Sequence, residues 1–315
     1  MKSLSFIGMS KNSGKTTALN HVLAYLYRNK INVGLTSVGR DGEDKDVLTK
    51  KEKPKIVVQT GTMFATTTEL LKVCAIQYEQ LHQTGINTPL GEVLILLAKT
   101  DGAVQLCGPS STLQTAVLRE YLHSLGAQIV IVDGAFGRKT IASTAVTENT
   151  ILCTGAALSP DMNRVVSETM HTYKLLMTEK AGQNVIDCLQ GSALALVSES
   201  GDITTFDRVA LTNELVNGII ETGASDAAVI VKDASKLLIS ELSTKKLQRR
   251  GIRILVRESI CLQALTVNPF SPYGYEFDAE MFKETLSEKV NIPVINVVRD
   301  SEALYEFLTH RVANN

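Results

Sequence analysis

Short apolar runs alternate along the chain with segments of helical period. Leu4–Ile7 reads as a short buried strand, and Thr16–Asn29 as a helix with Leu19, Val22, Leu23 and Leu26 on one face. Val33–Val38 and Lys55–Val58 read as strands, and residues 67–83 as a helix. Two further strands, Val93–Ala98 and Ala103–Cys107, flank Thr100-Asp101-Gly102; an Asp-Gly pair between apolar runs predicts a hairpin, because both residues tolerate positive φ. A helix over Ser111–Leu125 then leads into Ile129–Val132, the strongest strand signal of the chain, which ends in Asp133-Gly134. Ile151–Cys153 is another short strand, and Pro160-Asp161 opens a helix reaching about Glu179. Beyond it, strands at Ala193–Val197, Ala227–Val231, Arg253–Val256 and Pro293–Val298 are separated by helices near 207–222, 235–249 and 278–289.

Alternation of this kind predicts an α/β protein with a mostly parallel, doubly wound sheet and an antiparallel hairpin. The polar, glycine-containing stretch 180–192 marks a soft boundary. It divides the chain into residues 1–185 and a second α/β lobe at 190–315, which is either separate or an extension of the same sheet.

Composition narrows the class. Of 315 residues 44% are hydrophobic and 21% charged, an ordinary globular balance. The formal net charge of -1 lacks the basic surplus of non-specific nucleic-acid or membrane binders, so neither partner is expected. The five cysteines (Cys74, Cys107, Cys153, Cys188, Cys261) are scattered, odd in number and free of C-x-x-C spacing, which predicts reduced core thiols. The apolar start ends at Gly8, unlike a signal peptide, and no run approaches the ~20 apolar residues of a membrane span. A cytoplasmic protein is expected.

The chemistry concentrates at Gly8-Met9-Ser10-Lys11-Asn12-Ser13-Gly14-Lys15-Thr16-Thr17. A phosphate-binding loop needs small residues whose successive N–H groups turn inward, followed by Lys and Ser/Thr at a helix start. A glycine- and serine-rich turn capping a helix would share several of these residues. The apolar strand before and the amphipathic helix after favour the phosphate loop. Backbone amides from Ser13 to Thr16 would cradle the β-phosphate, Lys15 would reach the β/γ oxygens, Thr16 would bind Mg²⁺, and Thr17 would reach the α-phosphate. The binding set is Gly8, Lys11, Asn12, Ser13, Gly14, Lys15, Thr16 and Thr17.

Acidic partners stand after two strands. Asp133 follows four apolar β-formers, at the carboxyl edge where α/β sheets bind ligands, and is a candidate Mg²⁺ ligand; a turn aspartate in Asp-Gly is the alternative. Gly39-Arg40-Asp41-Gly42-Glu43-Asp44 offers Asp41 first and Glu43 second as acidic candidates beside a magnesium nucleotide site, with Arg40 a phosphate partner; a solvated acidic loop would look the same. Gly108–Thr112 reads as a helix N-cap, and Arg138-Lys139 as a basic turn or a nucleotide contact. Val267–Gly274, with two prolines and two aromatics, reads as a packed loop or a binding surface. The five histidines carry no metal-ligand spacing.

The loop spacing, G-x5-G-K-T rather than G-x4-G-K-T, resembles dethiobiotin synthetase and its branch of P-loop proteins, which includes the nitrogenase iron protein. In that branch an acidic residue after the second strand serves the metal or the attacking water, which puts Asp41 in a catalytic role beside Lys15. Lys11 is similar to the branch's second lysine, but lies four residues before Lys15 rather than five. Taken together, G-M-S-K-N-S-G-K-T-T (8–17), S-V-G-R-D-G-E (37–43), G-I-N-T-P-L-G-E-V (85–93), V-D-G-A-F-G-R-K-T (132–140) and V-N-P-F-S-P-Y-G (267–274) resemble the KamB-type subunit of the lysine 5,6-aminomutase reactivase. The resemblance implies ATP- and Mg²⁺-driven action on a cobalamin-dependent aminomutase, with that enzyme or a second reactivase subunit as partner and a homodimer possible. The competing functions are a small-molecule ligase of the dethiobiotin synthetase type and a nucleotide-dependent binding module. ATP is preferred to GTP because no N-K-x-D occurs, Val231-Lys232-Asp233 being a distant echo.

Overall fold

The computed structural model describes residues 1–39, 55–134, 146–189, 193–300, 304, 306 and 307. They form two compact units, Met1–Thr169 with Leu262–Asn315, and Met170–Cys261.

In the first unit, β1 (Ser3–Gly8) leads into α1 (Lys15–Arg28) and β2 (Val33–Ser37). Then come β3 (Ile56–Val58), β4 (Met63–Thr67), the single-turn α2 (Thr68–Leu71), β5 (Tyr78–Thr88), β6 (Gly91–Ala98) and β7 (Gly102–Val104). Helix α3 (Thr112–Ser124), β8 (Ile129–Asp133), β9 (Asn149–Gly155) and α4 (Met162–Leu176) follow. The second unit contains α5 (Gln183–Cys188), β10 (Leu194–Ser198), β11 (Ile203–Thr205), β12 (Leu211–Thr212), α6 (Asn213–Glu221), β13 (Ala227–Asp233), β14 (Leu237–Leu238), α7 (Glu241–Arg249) and β15 (Arg253–Glu258). The chain then returns to the first unit as β16 (Leu262–Asn268), α8 (Ala279–Ser287) and β17 (Val294–Asn296).

The first unit is built on a nine-stranded sheet in the order β17-β16-β9-β1-β8-β2-β4-β6-β5. Strands β17 through β4 are parallel, and β4-β6-β5 are antiparallel. The chain builds outward from β1 through β2 and β4, returns to insert β8 beside β1, and crosses to β9 on the other side. That reversal beside β1 is where a parallel sheet opens a ligand crevice at its carboxyl edge. Strand β1 is buried along almost its whole length, as parallel strands covered on both faces must be. Helix α1 buries Leu19, Val22, Leu23 and Leu26 at helical spacing in the same core cluster as Leu4, Phe6, Leu35 and Ile131. Each such side chain contributes about 1.5–3 kcal/mol through burial. The helix is thereby fixed on the sheet, and so is the loop that feeds it.

The expected α/β class, with a large mostly parallel sheet and an antiparallel element, is the observed one. Several local expectations are corrected. Asp101-Gly102 does not close a hairpin between 93–98 and 103–107. The Asp101 carboxylate accepts hydrogen bonds from the Thr60 N–H (2.8 Å) and hydroxyl (2.9 Å), and β7 pairs with β3 in a separate ribbon. The antiparallel hairpin is instead β5–β6, with Thr88 opposite Gly91. Residues 67–83, expected as a helix, hold only the short α2 before β5 begins. Edge strand β5 needs apolar side chains at only a few positions, such as buried Ile86, so its sequence lacks strand alternation. Strand β16, to which the sequence pattern assigned no element, lies inside the main sheet next to β9.

The second unit has a four-stranded sheet, β11-β10-β13-β15, in which β13 and β15 are parallel and the other pairs antiparallel. Its core includes Ala195, Ile230 and Leu255, with Leu189 and Ala181 packed among them. The units therefore divide differently from the expected 1–185 and 190–315. The first division falls within α4, between Thr169 and Met170, and the residues after Leu262 rejoin the first unit. A boundary inside a continuous helix carries no polar or glycine-rich signature. Cys107 and Cys153 are buried as expected of core thiols, whereas Cys188 and Cys261 are exposed. Among the described residues, no helix is long and apolar enough to cross a membrane.

Candidate functional site: a phosphate loop at the carboxyl edge of the sheet

Register brings the site together. Phe6 of β1 and Ser37 of β2 both lie opposite Asp133 of β8, Gly8 opposite Cys153 of β9, and Gly155 opposite Asn268 of β16. The ends of five neighbouring strands thus meet at one edge. Between Gly8 and Lys15 the chain makes a compact loop tied down by the Met9 N–H, which donates to the Cys153 carbonyl at 2.8 Å. Asn12 (φ 61°) and Gly14 (φ 84°) both take the left-handed conformation. Asn is one of the few side-chain residues that tolerates it, and Gly carries no steric cost there. Gly14 is the N-cap of α1 without side-chain capping, so the first amides of that helix receive no bond from a cap side chain.

The loop's interior is polar. Ser13 is buried, and the buried hydroxyls of Ser10 and Ser13 have no hydrogen-bond partner among the described residues. A Cβ added to Gly8 would stand 2.7 Å from the Ser13 hydroxyl oxygen, so the glycine keeps this space open. Orphaned hydroxyls, a helix start without a side-chain cap and a clear interior fit a bound phosphate better than a closed turn. Thr16 and Thr17 are half-buried in the first turn of α1, and Lys11 is exposed.

The Lys15 ammonium donates to the Asp133 carboxylate, an ion pair in which the lysine side chain is 14% exposed and the aspartate fully buried. The sequence placed these two residues 118 positions apart as a phosphate lysine and a strand-end acid, and the structure joins them. Burial pushes the neighbouring Cys153 thiol up to about 12, against a hydrogen bond with Thr266 and the Lys15 charge, both of which lower it. Cys153 is therefore a neutral packing residue and offers no thiolate beside the loop. Asp41, Glu43 and Arg40 lie outside the described residues, as do Arg138 and Lys139.

The expected helix cap at Gly108–Thr112 belongs to the same edge. The Gly39 N–H donates to the Pro109 carbonyl and the Gly108 N–H to the Gly39 carbonyl, each at 3.2 Å. A Cβ on Gly108 would stand 2.0 Å from the Ser37 carbonyl oxygen. These contacts pin the end of β2 beside Asp133, whose own carbonyl accepts from the Val38 N–H at 3.2 Å. Sequence reasoning assigned no role to Asn268, which reaches the loop from β16. Its only sequence signal is its place in the motif 267–274. Three of the described histidines pack locally: His82 against the Tyr121 ring at 4.7 Å, His123 on the Ala127 carbonyl at 2.8 Å and His171 on the Ile239 carbonyl at 3.0 Å.

A parallel sheet with the loop strand flanked on both sides, a left-handed loop feeding a helix, and a strand-end aspartate on the loop lysine together define the P-loop NTPase fold. No protein-family model matches the chain, and no curated protein matches it. Among solved structures, pNOB8 ParA is 10% identical, with 99% of each chain covered and a TM-score of 0.34. A second structure, pNOB8 ParA bound to nonspecific DNA, is 9% identical over 100% of this chain and 99% of the other, with a TM-score of 0.32. Superpositions at that level transfer neither residues nor activity.

The expectation that the chain has no nucleic-acid partner is corrected at this point. One of these solved structures is of a ParA on nonspecific DNA, and a net charge of -1 averages over the chain without excluding a local contact.

Proposed function

We propose that this chain is a magnesium-dependent ATP-binding and hydrolysing P-loop protein that acts on a partner enzyme, reactivating a cobalamin-dependent lysine 5,6-aminomutase. The observation that carries the nucleotide reading is the Lys15–Asp133 ion pair beneath a loop with orphaned hydroxyls. In the free protein the carboxylate neutralises an ammonium that would otherwise be buried alone. Lys15 would hold the phosphate oxygens of a triphosphate, and Asp133 together with Thr16 would hold its metal. Magnesium held there would neutralise phosphate charge. Asp41, placed by sequence after β2, is the proposed water-orienting residue. The partner assignment is supported by the sequence resemblance alone, and ATP is chosen over GTP by the lack of an N-K-x-D motif.

Calorimetric titration of the purified chain with Mg-ATP, repeated on Lys15→Ala, tests the core claim. Binding is expected to fall by at least about 100-fold, in line with about 3 kcal/mol for charge-assisted contacts. Because Lys15→Ala strands Asp133, the double variant Lys15→Ala/Asp133→Asn provides a folded control and should be equally deficient. Unchanged affinity in both sinks the nucleotide reading. ATPase stimulated by inactivated aminomutase supports the partner role. Turnover only with a small carboxylic acid, or tight binding with no turnover, replaces it with a ligase or a binding module.

A further inference from the structure

We infer that Asn268 is a positioning residue for the phosphate loop, holding the left-handed turn from Asn12 to Gly14 in a form ready for phosphate. The inference rests on the nucleotide reading above, but its observations are separate.

Asn268 is the last residue of β16, opposite Gly155 at the end of β9. Its amide Nδ2 donates a long, weak hydrogen bond to the Asn12 carbonyl at 3.4 Å, against one left-handed residue. Its Cβ occupies the space beside the other, since a Cβ on Gly14 would lie 3.0 Å from it and 3.1 Å from Val297 Cγ2. Gly155 is required beneath it as well: a Cβ there would stand 2.5 Å from the Asn268 carbonyl oxygen.

The asparagine is itself held rigidly. Its Oδ1 accepts from the Phe270 N–H at 3.1 Å, and the loop beyond closes through Ser271 N–H to the Tyr275 carbonyl (3.0 Å) and Phe277 N–H to the Pro269 carbonyl (3.0 Å). The Tyr275 hydroxyl ties that loop to the Ala156 carbonyl at 2.8 Å. One side chain thus bonds one left-handed residue, packs on the other and is fixed by a closed loop. Left-handed backbone is sparsely populated for Asn, so a loop without this brace samples other conformations and loses its pre-organised amides. The segment 267–274, read from sequence as either packing or a binding surface, acquires in this way a specific task.

Two variants and two ligands test the inference. Asn268→Ala removes the donor to Asn12 and the acceptor for Phe270 while keeping the Cβ beside Gly14. Asn268→Asp keeps the Cβ and the acceptor for Phe270 but replaces the donor with a carboxylate oxygen facing the Asn12 carbonyl. Each is titrated with Mg-ATP and with inorganic tripolyphosphate, and amide hydrogen exchange is followed without ligand. The expected result is a loss of about tenfold or more for both ligands alike, with faster exchange at residues 12–16 and unchanged exchange in β13 of the second unit. Loss for ATP but not for tripolyphosphate would mean that Asn268 reads the base, and would overturn the inference. So would unaltered loop exchange. If the unmodified chain binds neither ligand, the nucleotide reading fails, and loop exchange still decides whether Asn268 holds the turn.

Discussion

Each unit of this protein buries one aspartate at the end of an apolar strand, and the two serve different ends. Asp133 closes Ile129–Val132, and Asp233 closes a seven-residue strand; both are 0% exposed. Asp133 receives the ammonium of Lys15 from the first turn of α1. Asp233 turns back on its own chain and accepts from the Ser235 N–H at 2.9 Å, capping the 3-10 turn Ala234–Lys236. A strand-end aspartate alone therefore does not mark a nucleotide site. The distinguishing features lie on the neighbouring strand: a left-handed loop, a helix beginning without a side-chain cap, and a lysine in its first turn. In unit two the aspartate completes local structure, whereas in unit one it pairs with a lysine from the loop helix.

Substituting the two aspartates in parallel tests this contrast most strongly. Asp133→Asn should weaken Mg-ATP binding about 10–100-fold, the worth of a charged contact. It should also destabilise the apo protein by about 3 kcal/mol, the low end for a broken buried pair because Lys15 keeps some solvent. Asp233→Ala should leave nucleotide affinity unchanged and cost about 1 kcal/mol, the loss of a cap. Titration calorimetry and denaturant melts read both. Equal losses of affinity in the two variants would erase the distinction.

How much of this was readable beforehand follows from where the physics is local. The loop, α1 and β8 were legible because strand, tight turn and helix are consecutive and each imposes its own residue types: apolar at Leu4–Ile7, small at Ser13 and Gly14, amphipathic from Thr16 onward. That Lys15 and Asp133 share one edge followed from the rule that parallel strands present ligands there, but their direct ion pair did not. Strand β5 was not legible, because an edge strand takes its stability from backbone pairing to β6 rather than from its own side chains. Nor was β16, whose membership in the first unit depends on a return over the whole of Met170–Cys261. Asn268 shares that obscurity: its contact with Asn12 spans 256 positions.

A second, smaller contrast uses glycines of nearly equal geometry. Gly14 has φ 84° and would crowd Asn268 and Val297, while Gly223, in the second unit, has φ 81° and nothing within 4 Å of an added Cβ. Both pay for left-handed backbone on substitution by Ala, about 1–2 kcal/mol. Only Gly14→Ala adds overlap, so it should lower the melting temperature more than Gly223→Ala and weaken ATP binding as well. Equal melting shifts with intact binding would show that the loop yields without Asn268 resisting.

The finest contrast is between thiols. Cys153, beneath the loop, is buried and pushed to about 12 from an ordinary 9.0, whereas Cys188 in the second unit is exposed. Because the folded state holds the Cys153 proton more tightly than the unfolded one, stability from this group is whole below about pH 9. It is lost between pH 9 and about 12, by up to about 1.4 kcal/mol per pH unit. Denaturant melts across that window should therefore show a shallower decline for Cys153→Ser than for the unmodified chain, while Cys188→Ser follows the unmodified curve. At pH 8 the effect on stability vanishes and only reactivity remains: the thiolate fraction of Cys153 falls by about a thousandfold relative to an ordinary thiol, so iodoacetamide should modify Cys188 and spare Cys153. Rapid modification of Cys153 in the folded chain would mean that the strand end under Met9 opens to solvent. The loop would then lack the fixed floor on which Lys15 and Asp133 meet.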